Sequence, residues 1–261
     1  MQAGIPAFYE LDFFKVNISE VNMYAFKDNK FLKADARESL LGNLTVPVIS
    51  IFIYTLTSVM LSDLISSFSS SSVALSIIFS ALVFLVVNTC TGMLRIGLSC
   101  IFLRLQFGMR PVVGDLLYAF RRNSNTAVVI SAFLSVLEFL CMLPAILFLS
   151  FLYGKDFPGH QFLYVILVAA GSLGAVAIRI RYAICTYLFL DFPDFSAEEL
   201  IRGGTKLMKG HLRRLYFLYL SFIPMYLLTL LSFGIAGLWV SSYTHAAEAA
   251  FYKDLMANTR W

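Results

Sequence analysis

Residues 215–247 run for 33 positions without an Asp, Glu, Lys or Arg. Four more apolar blocks precede them: 44–62, 73–94, 123–153 and 157–178, of which only the third contains a charge, Glu138. A helix needs about 20 apolar residues to cross the hydrocarbon core of a bilayer, about 30 Å thick. Each block reaches or approaches that length. The rest of the composition agrees, with 14% charged residues against about 25% in ordinary soluble domains. The fold class expected is all-α: a polytopic transmembrane helical bundle.

As one straight helix, residues 215–247 would span about 50 Å, too long for a single crossing. The stretch SFGIAG at 232–237 puts two glycines near the middle, and glycine weakens helices and favours turns. The spacing therefore predicts two helices joined by a tight turn. Six helices result, over about 44–65, 73–106, 124–153, 160–190, 212–231 and 234–256, arranged as three hairpins in a single domain, 31–261. Residues 1–30 form a cytoplasmic N-terminal extension. That extension begins MQAGIPAFYELDFFK, acidic and aromatic, without the basic start and short apolar run of a cleavable signal peptide.

Lys and Arg accumulate on the cytoplasmic side of multi-pass proteins. Placing both termini inside (N-in/C-in) puts 19 of the 20 basic residues on that side and leaves only Lys155 outside. The net charge of +4 is thus a record of topology, and nucleic acid is not an expected partner. The outer connections are all short, so no outer domain is available to bind a large ligand.

The three inner segments share a plan. FLKADARESLLGN (31–43), VGDLLYAFRRNSN (113–125) and SAEELIRGGTKLMKGH (196–211) each read as a short amphipathic helix that leads into a hairpin. Ser196 with Glu199 forms a capping box, and Pro111 and Pro193 stand upstream of the second and third. Together they predict a cytoplasmic collar of interfacial connector helices. Its basic residues Lys206, Lys209, Arg213 and Arg214 are candidates for contact with anionic lipid or a partner protein.

Glu138 is the most informative side chain, because an ionised carboxylate inside a membrane must be paired, protonated or exposed to water. Its candidate partners are Arg95, Arg179 and Arg181, at the inner ends of neighbouring apolar blocks. Two readings stand side by side: a static pair that holds helices together, and a polar centre for transport or proton coupling. Pro144 and Pro224 are candidate helix kinks. Gly171 and Gly174 allow close helix packing. Cys90, Cys100, Cys141 and Cys185 fall in apolar or flanking segments and read as reduced, buried thiols. His160, His211 and His245 lie on separate segments, and no HExxH, Walker A, GxSxG or GxGxxG pattern occurs. Neither a metal nor a cofactor is expected.

The last third carries a recognisable series of motifs. Asp191, Pro193, Asp194 and Ser196 are followed by Met208-Lys209-Gly210, Leu220-Ser221-Phe222, Gly234-Ile235, Leu238-Trp239 and a closing run from Ala246 to Leu255. With the middle portion from Arg95 to Arg122 and KADARESLLGN, this order resembles the bacterial integral membrane proteins termed domain of unknown function 975. The resemblance covers about residues 31–256. Pro224-Met225 and the GGTK stretch depart from the family's usual residues at those positions. It implies a multi-helix protein of the bacterial cytoplasmic membrane and supplies no substrate. The leading expectation is non-enzymatic: transport or export of a small molecule, lipid or peptide through or within the bundle. The alternative is a membrane scaffold or accessory subunit, as a homo-oligomer or with a membrane-protein partner, that binds anionic lipid or a partner through its basic face. An enzyme would need Glu138, Glu248 and His245 around one wet cavity.

Overall fold

The computed structural model describes residues 26–66, 73–152 and 160–258. The first 25 residues, the serine-rich turn and the connection carrying Lys155 lie outside the described residues. Among the described residues every regular element is helical: α1 (Asn29–Leu40), α2 (Thr45–Ser66), α3 (Val73–Gln106), a 3-10 turn (Val113–Leu117), α4 (Tyr118–Arg121), α5 (Ser124–Leu152), α6 (His160–Asp191), α7 (Ala197–Met208), α8 (Leu212–Leu220), α9 (Ile223–Leu231) and α10 (Ile235–Asn258).

The long helices are longer than a bilayer requires. At 34 and 32 residues, α3 and α6 extend about 51 and 48 Å at 1.5 Å per residue, against a core of about 30 Å. Their basic ends, Arg95–Gln106 and Arg179–Asp191, form the part of the molecule with a packed interior. Ile96, Ile101, Phe102, Ile184, Tyr187 and Phe189 are fully buried there. They are covered by Leu32 and Ala36 of α1, Leu200 and Met208 of α7, Leu215 of α8, and Ala246, Phe251 and Leu255 of α10. The opposite halves of the helices are different. Phe52, Leu56, Leu82, Val86, Val136, Leu140, Leu173 and Val176 are exposed. An apolar girdle this extensive far exceeds what soluble monomers present to water, and acyl chains are its natural cover.

Each connector docks on the basic end in its own way. In α1 the buried residues Leu32, Ala36 and Leu40 recur every four positions, one helical face. The second connector is not the amphipathic helix that its sequence suggests; it is the 3-10 turn followed by the single turn of α4. The cause is a very close approach to α3. A Cβ built on Gly97 would lie 1.9 Å from the Leu116 carbonyl oxygen. The turn is clamped by Arg104, whose guanidinium meets the Asp115 carboxylate at 2.7 Å, while the same carboxylate accepts the Val112 N–H at 3.0 Å. The third connector, α7, has the expected capping box. The Glu199 carboxylate accepts the Ser196 N–H at 2.9 Å and its hydroxyl at 2.8 Å, which holds this carboxyl below its ordinary range. α7 also packs through a glycine, since a Cβ at Gly204 would meet Cys185 Sγ at 2.4 Å.

The last segment departs furthest from expectation. The single helix expected over 212–231 is broken into α8 and α9. Pro224, in the first turn of α9, has no N–H to close a turn onto Leu220. The Met225 N–H turns to Phe222 O at 2.9 Å, which leaves the Ser221 carbonyl to Lys33 of α1, whose ammonium donates to it at 3.0 Å. That ammonium also lies over the Phe222 ring, and partial burial pulls the Lys33 pKa down.

Five segments of the described chain are long and apolar enough to cross a membrane: Thr45–Asp63, Ile78–Gln106, Ser124–Phe148, Phe162–Asp191 and Leu212–Leu231. The expected sixth helix, α10, is not among them. Its C-terminal part, from His245 onward, carries Glu248, Lys253 and Asp254 and is mostly buried by protein. Asp254 receives the Lys27 N–H and the Arg214 guanidinium, and Lys253 Nζ donates to Gln106 O at 2.8 Å.

The Gly97 contact gives a direct test of the docked base. Gly97→Ala should lower the thermal stability of the detergent-solubilised protein by about 3 kcal/mol or more, the upper end for overpacking. Gly114→Ala, where nothing lies within 4 Å of the added carbon, should stay within about 0.5 kcal/mol of the parent. Equal melting temperatures for the two variants would refute the close contact.

Candidate functional site

Polar residues run along three of the apolar helices at helical spacing. They are Asn88, Thr91 and Arg95 on α3, Ser131, Ser135 and Glu138 on α5, and Arg179 and Thr186 on α6. Separations of three, four and seven place each set on one face. The three faces meet around a cavity, closed from a fourth side by Tyr54 of α2. By the space open to the centre of a water molecule it measures about 30 Å³, room for about two waters. Close helix packing borders it: a Cβ on Gly92 would come within 2.9 Å of Ser131.

Glu138 is 7% exposed and is bonded through both oxygens. Arg179 Nε donates to Oε1 at 2.5 Å and Nη2 donates to Oε2 at 2.6 Å. This is the two-pronged arrangement a guanidinium and a carboxylate favour, the strongest of the side-chain hydrogen-bonded pairs. Buried pairs of this kind persist because either partner alone would be an uncompensated charge in a poor solvent. Arg95 lines the same cavity, but among the described residues no carboxylate lies within 4 Å of it. Its electrostatic neighbours are Tyr54, Glu248, Tyr219 and Glu138. Glu248 has its own neighbour in His245, whose Nδ1 lies 3.4 Å from Oε2. The cavity wall thus holds two guanidiniums and one carboxylate, and Glu248 is not part of it.

Of the expected polar centre, the fold unites Glu138, Arg179 and Arg95, whereas Arg181 is exposed and absent from the cavity wall. Glu248, an electrostatic neighbour of Arg95, and His245 do not line the cavity. Pro144 lies inside α5, which continues unbroken to Leu152; Pro224 opens α9. Gly171 faces the Cys141 carbonyl, 2.8 Å from where its Cβ would be. On the basic face Lys206, Lys209 and Arg213 are exposed. Arg214 is turned inward, donating to Asp254 and the Lys27 carbonyl between the rings of Phe26 and Phe251. All four cysteines are free, and no group of three potential metal ligands gathers among the described residues.

The lining residues Tyr54, Asn88, Thr91, Ser131, Ser135 and Thr186 were not singled out by the sequence reading, which followed charges and helix breakers. The signal was present as polar residues recurring every three, four or seven positions within otherwise apolar blocks. What the sequence does not contain is the rotation of each helix, which turns three separate stripes toward one another.

No curated protein and no solved structure matches the chain. Residues 23–259 match the family described as a protein of unknown function, DUF975. The match begins before the point, residue 31, at which the motifs start to resemble the family. The chain belongs to the DUF975 family.

Proposed function

We propose that this chain is a multi-pass protein of the bacterial cytoplasmic membrane. In this reading its termini and connectors are cytoplasmic, its three hairpins open toward that face, and it binds or passes a small anionic group at Arg95. The group is a free anion or the charged part of a lipid or peptide. One observation carries the reading: Arg179 is consumed by Glu138, while Arg95 faces a polar cavity with no carboxylate in contact. A guanidinium at the edge of a low-dielectric region attracts anions far more strongly than one in water. The hydroxyl and amide groups of Thr91, Ser131, Ser135 and Asn88 on the walls add neutral donors. The role is binding or passage, with Glu138 held in a pair instead of free to act as an acid or base.

The basic face supports a second reading, an anchoring or scaffolding role on anionic lipid. Lys206, Lys209 and Arg213 are exposed near the exposed apolar side chains Phe217 and Leu220, a combination suited to a headgroup layer.

Thermal unfolding in neutral detergent separates these readings. Added inorganic phosphate, compared with chloride at equal ionic strength, or added phosphatidylglycerol should raise the melting temperature of the parent. Arg95→Gln should abolish the rise. If phosphate is silent and only the lipid acts, the source is a headgroup; a rise that survives Arg95→Gln would sink the reading. For the second reading, reversing Lys206, Lys209 and Arg213 to Glu should deplete phosphatidylglycerol from the purified protein, at about 1 kcal/mol per charge. Unchanged lipid content would count against it.

The pair itself has a distinct signature. Arg179→Gln alone should cost about 3 kcal/mol by stranding the Glu138 carboxylate. The double variant Glu138→Gln/Arg179→Gln should recover most of that loss. Additive losses in the double-mutant cycle would show that the two side chains are not coupled.

A further inference from the structure

The hairpin of α9 and α10 is shorter than its neighbours, and two ring contacts measure the difference. Phe102 of α3 stacks on His245 of α10 with centroids 5.5 Å apart, so these residues share a level. From there α3 continues to Val73, about 44 Å away along the helix, while α10 reaches its first residue, Ile235, in about 15 Å. Tyr187 of α6 stacks on Tyr252 of α10 at 5.1 Å. From that level α6 runs about 40 Å to His160, and α10 runs about 26 Å to Ile235. Even with α10 upright, its tip stops roughly 14 to 29 Å short of the far ends of α3 and α6, about half the hydrocarbon core or more.

The near side of the hairpin is marked by a charge. Lys33 donates to the Ser221 carbonyl, and the Tyr243 hydroxyl donates to the Lys33 carbonyl at 3.1 Å. Polar surroundings therefore extend as far as residues 221 and 243. Above that level α9 has only nine residues, about 14 Å.

The tip is built for hydrocarbon. Leu230, Leu231, Phe233 and Ile235 are 77%, 80%, 99% and 69% exposed. Phe233 holds a left-handed backbone, φ 52°, a conformation that glycine would adopt without strain. The strain is accepted for a ring that touches almost nothing in the protein. Every N–H through the turn has an acceptor: Ser232 to Leu228 O, Phe233 to Leu230 O, Gly234 to Thr229 O, Ile235 to Ser232 O and Gly237 to Gly234 O, all between 2.9 and 3.3 Å. The Ala236 N–H goes to Ser232 Oγ at 3.0 Å, and that hydroxyl donates in turn to Thr229 O at 3.1 Å. Irregular backbone is excluded from lipid because its N–H groups go unsatisfied. Here no N–H from 232 to 237 depends on water.

We propose that α9 and α10 form a re-entrant hairpin that enters the bilayer from the basic face. Its tip lodges among lipid acyl chains, does not reach the opposite face, and returns the C-terminus to the side it left. Leu212–Leu231 is long enough in sequence to cross, but its first part, α8 with the break that follows it, is committed to the packed base through Leu215, Leu218 and Phe222.

Site-directed labelling of the full-length chain, with its four cysteines replaced by alanine, tests this. Phe233→Cys is compared with Lys155→Cys and Lys206→Cys. In membranes, position 233 should resist a membrane-impermeant maleimide from both faces. A nitroxide placed there should collide severalfold more often with oxygen than with a water-soluble nickel chelate. Labelling from the outside as fast as Lys155→Cys would overturn the proposal in favour of full crossings. Labelling from the inside as fast as Lys206→Cys would overturn it by placing the hairpin outside the membrane. If Phe233→Cys does not yield folded protein, Ile235→Cys reads the same tip. Labelling reports topology alone, whatever binds at Arg95.

Discussion

Hydrocarbon offers no hydrogen bonds, so polar groups on the apolar side of this protein turn to partners within the chain. Ser58, Asn88, Thr89 and Ser135 return their donors to the carbonyl one turn back in their own helices. Glu138 and Arg179 neutralise each other through two hydrogen bonds. The turn between α9 and α10 closes on itself through Ser232. Charges that lack such local solutions sit on the other side of the molecule, where Arg104, Lys253 and Arg214 clamp helix ends and connectors.

This constraint divides the chain into two regimes. In one half, apolar side chains such as Leu82 and Val176 face outward, uncovered by protein. In the other, the overlong ends of α3 and α6, with α1, α7, α8 and the second half of α10, enclose an interior of the soluble-protein kind. The cavity lies where the regimes meet. There a guanidinium is partly shielded from water, and hydroxyls on three helices can reach a ligand. Arg95 has both Glu138 of the pair and Glu248 among its electrostatic neighbours.

Much of this was legible in sequence. The apolar blocks, the basic connectors, the capping box at Ser196 and the pairing of Glu138 with a neighbouring arginine each follow from residue type and spacing. The second connector misled because its apolar periodicity suits a helix, while Gly97 on a distant segment lets the backbone dock too closely for one. The last apolar run is long and apolar enough to cross over Leu212–Leu231, but hydropathy counts residues without knowing which of them protein already covers. Leu215, Leu218 and Phe222 are as apolar as any of the exposed side chains, and they are buried in the packed base.

By itself the sequence determined that long apolar segments dominate this chain and that its charges fall mostly in the segments between them, because both follow from residue type and position. Only the tertiary structure decided which of three arginines Glu138 bonds, that Arg95 is left facing the cavity, and how far each hairpin extends. Those outcomes depend on helix rotation and relative height, which are set by contacts between segments far apart in the chain: Gly97 on Leu116, Phe102 on His245, Lys33 on Ser221.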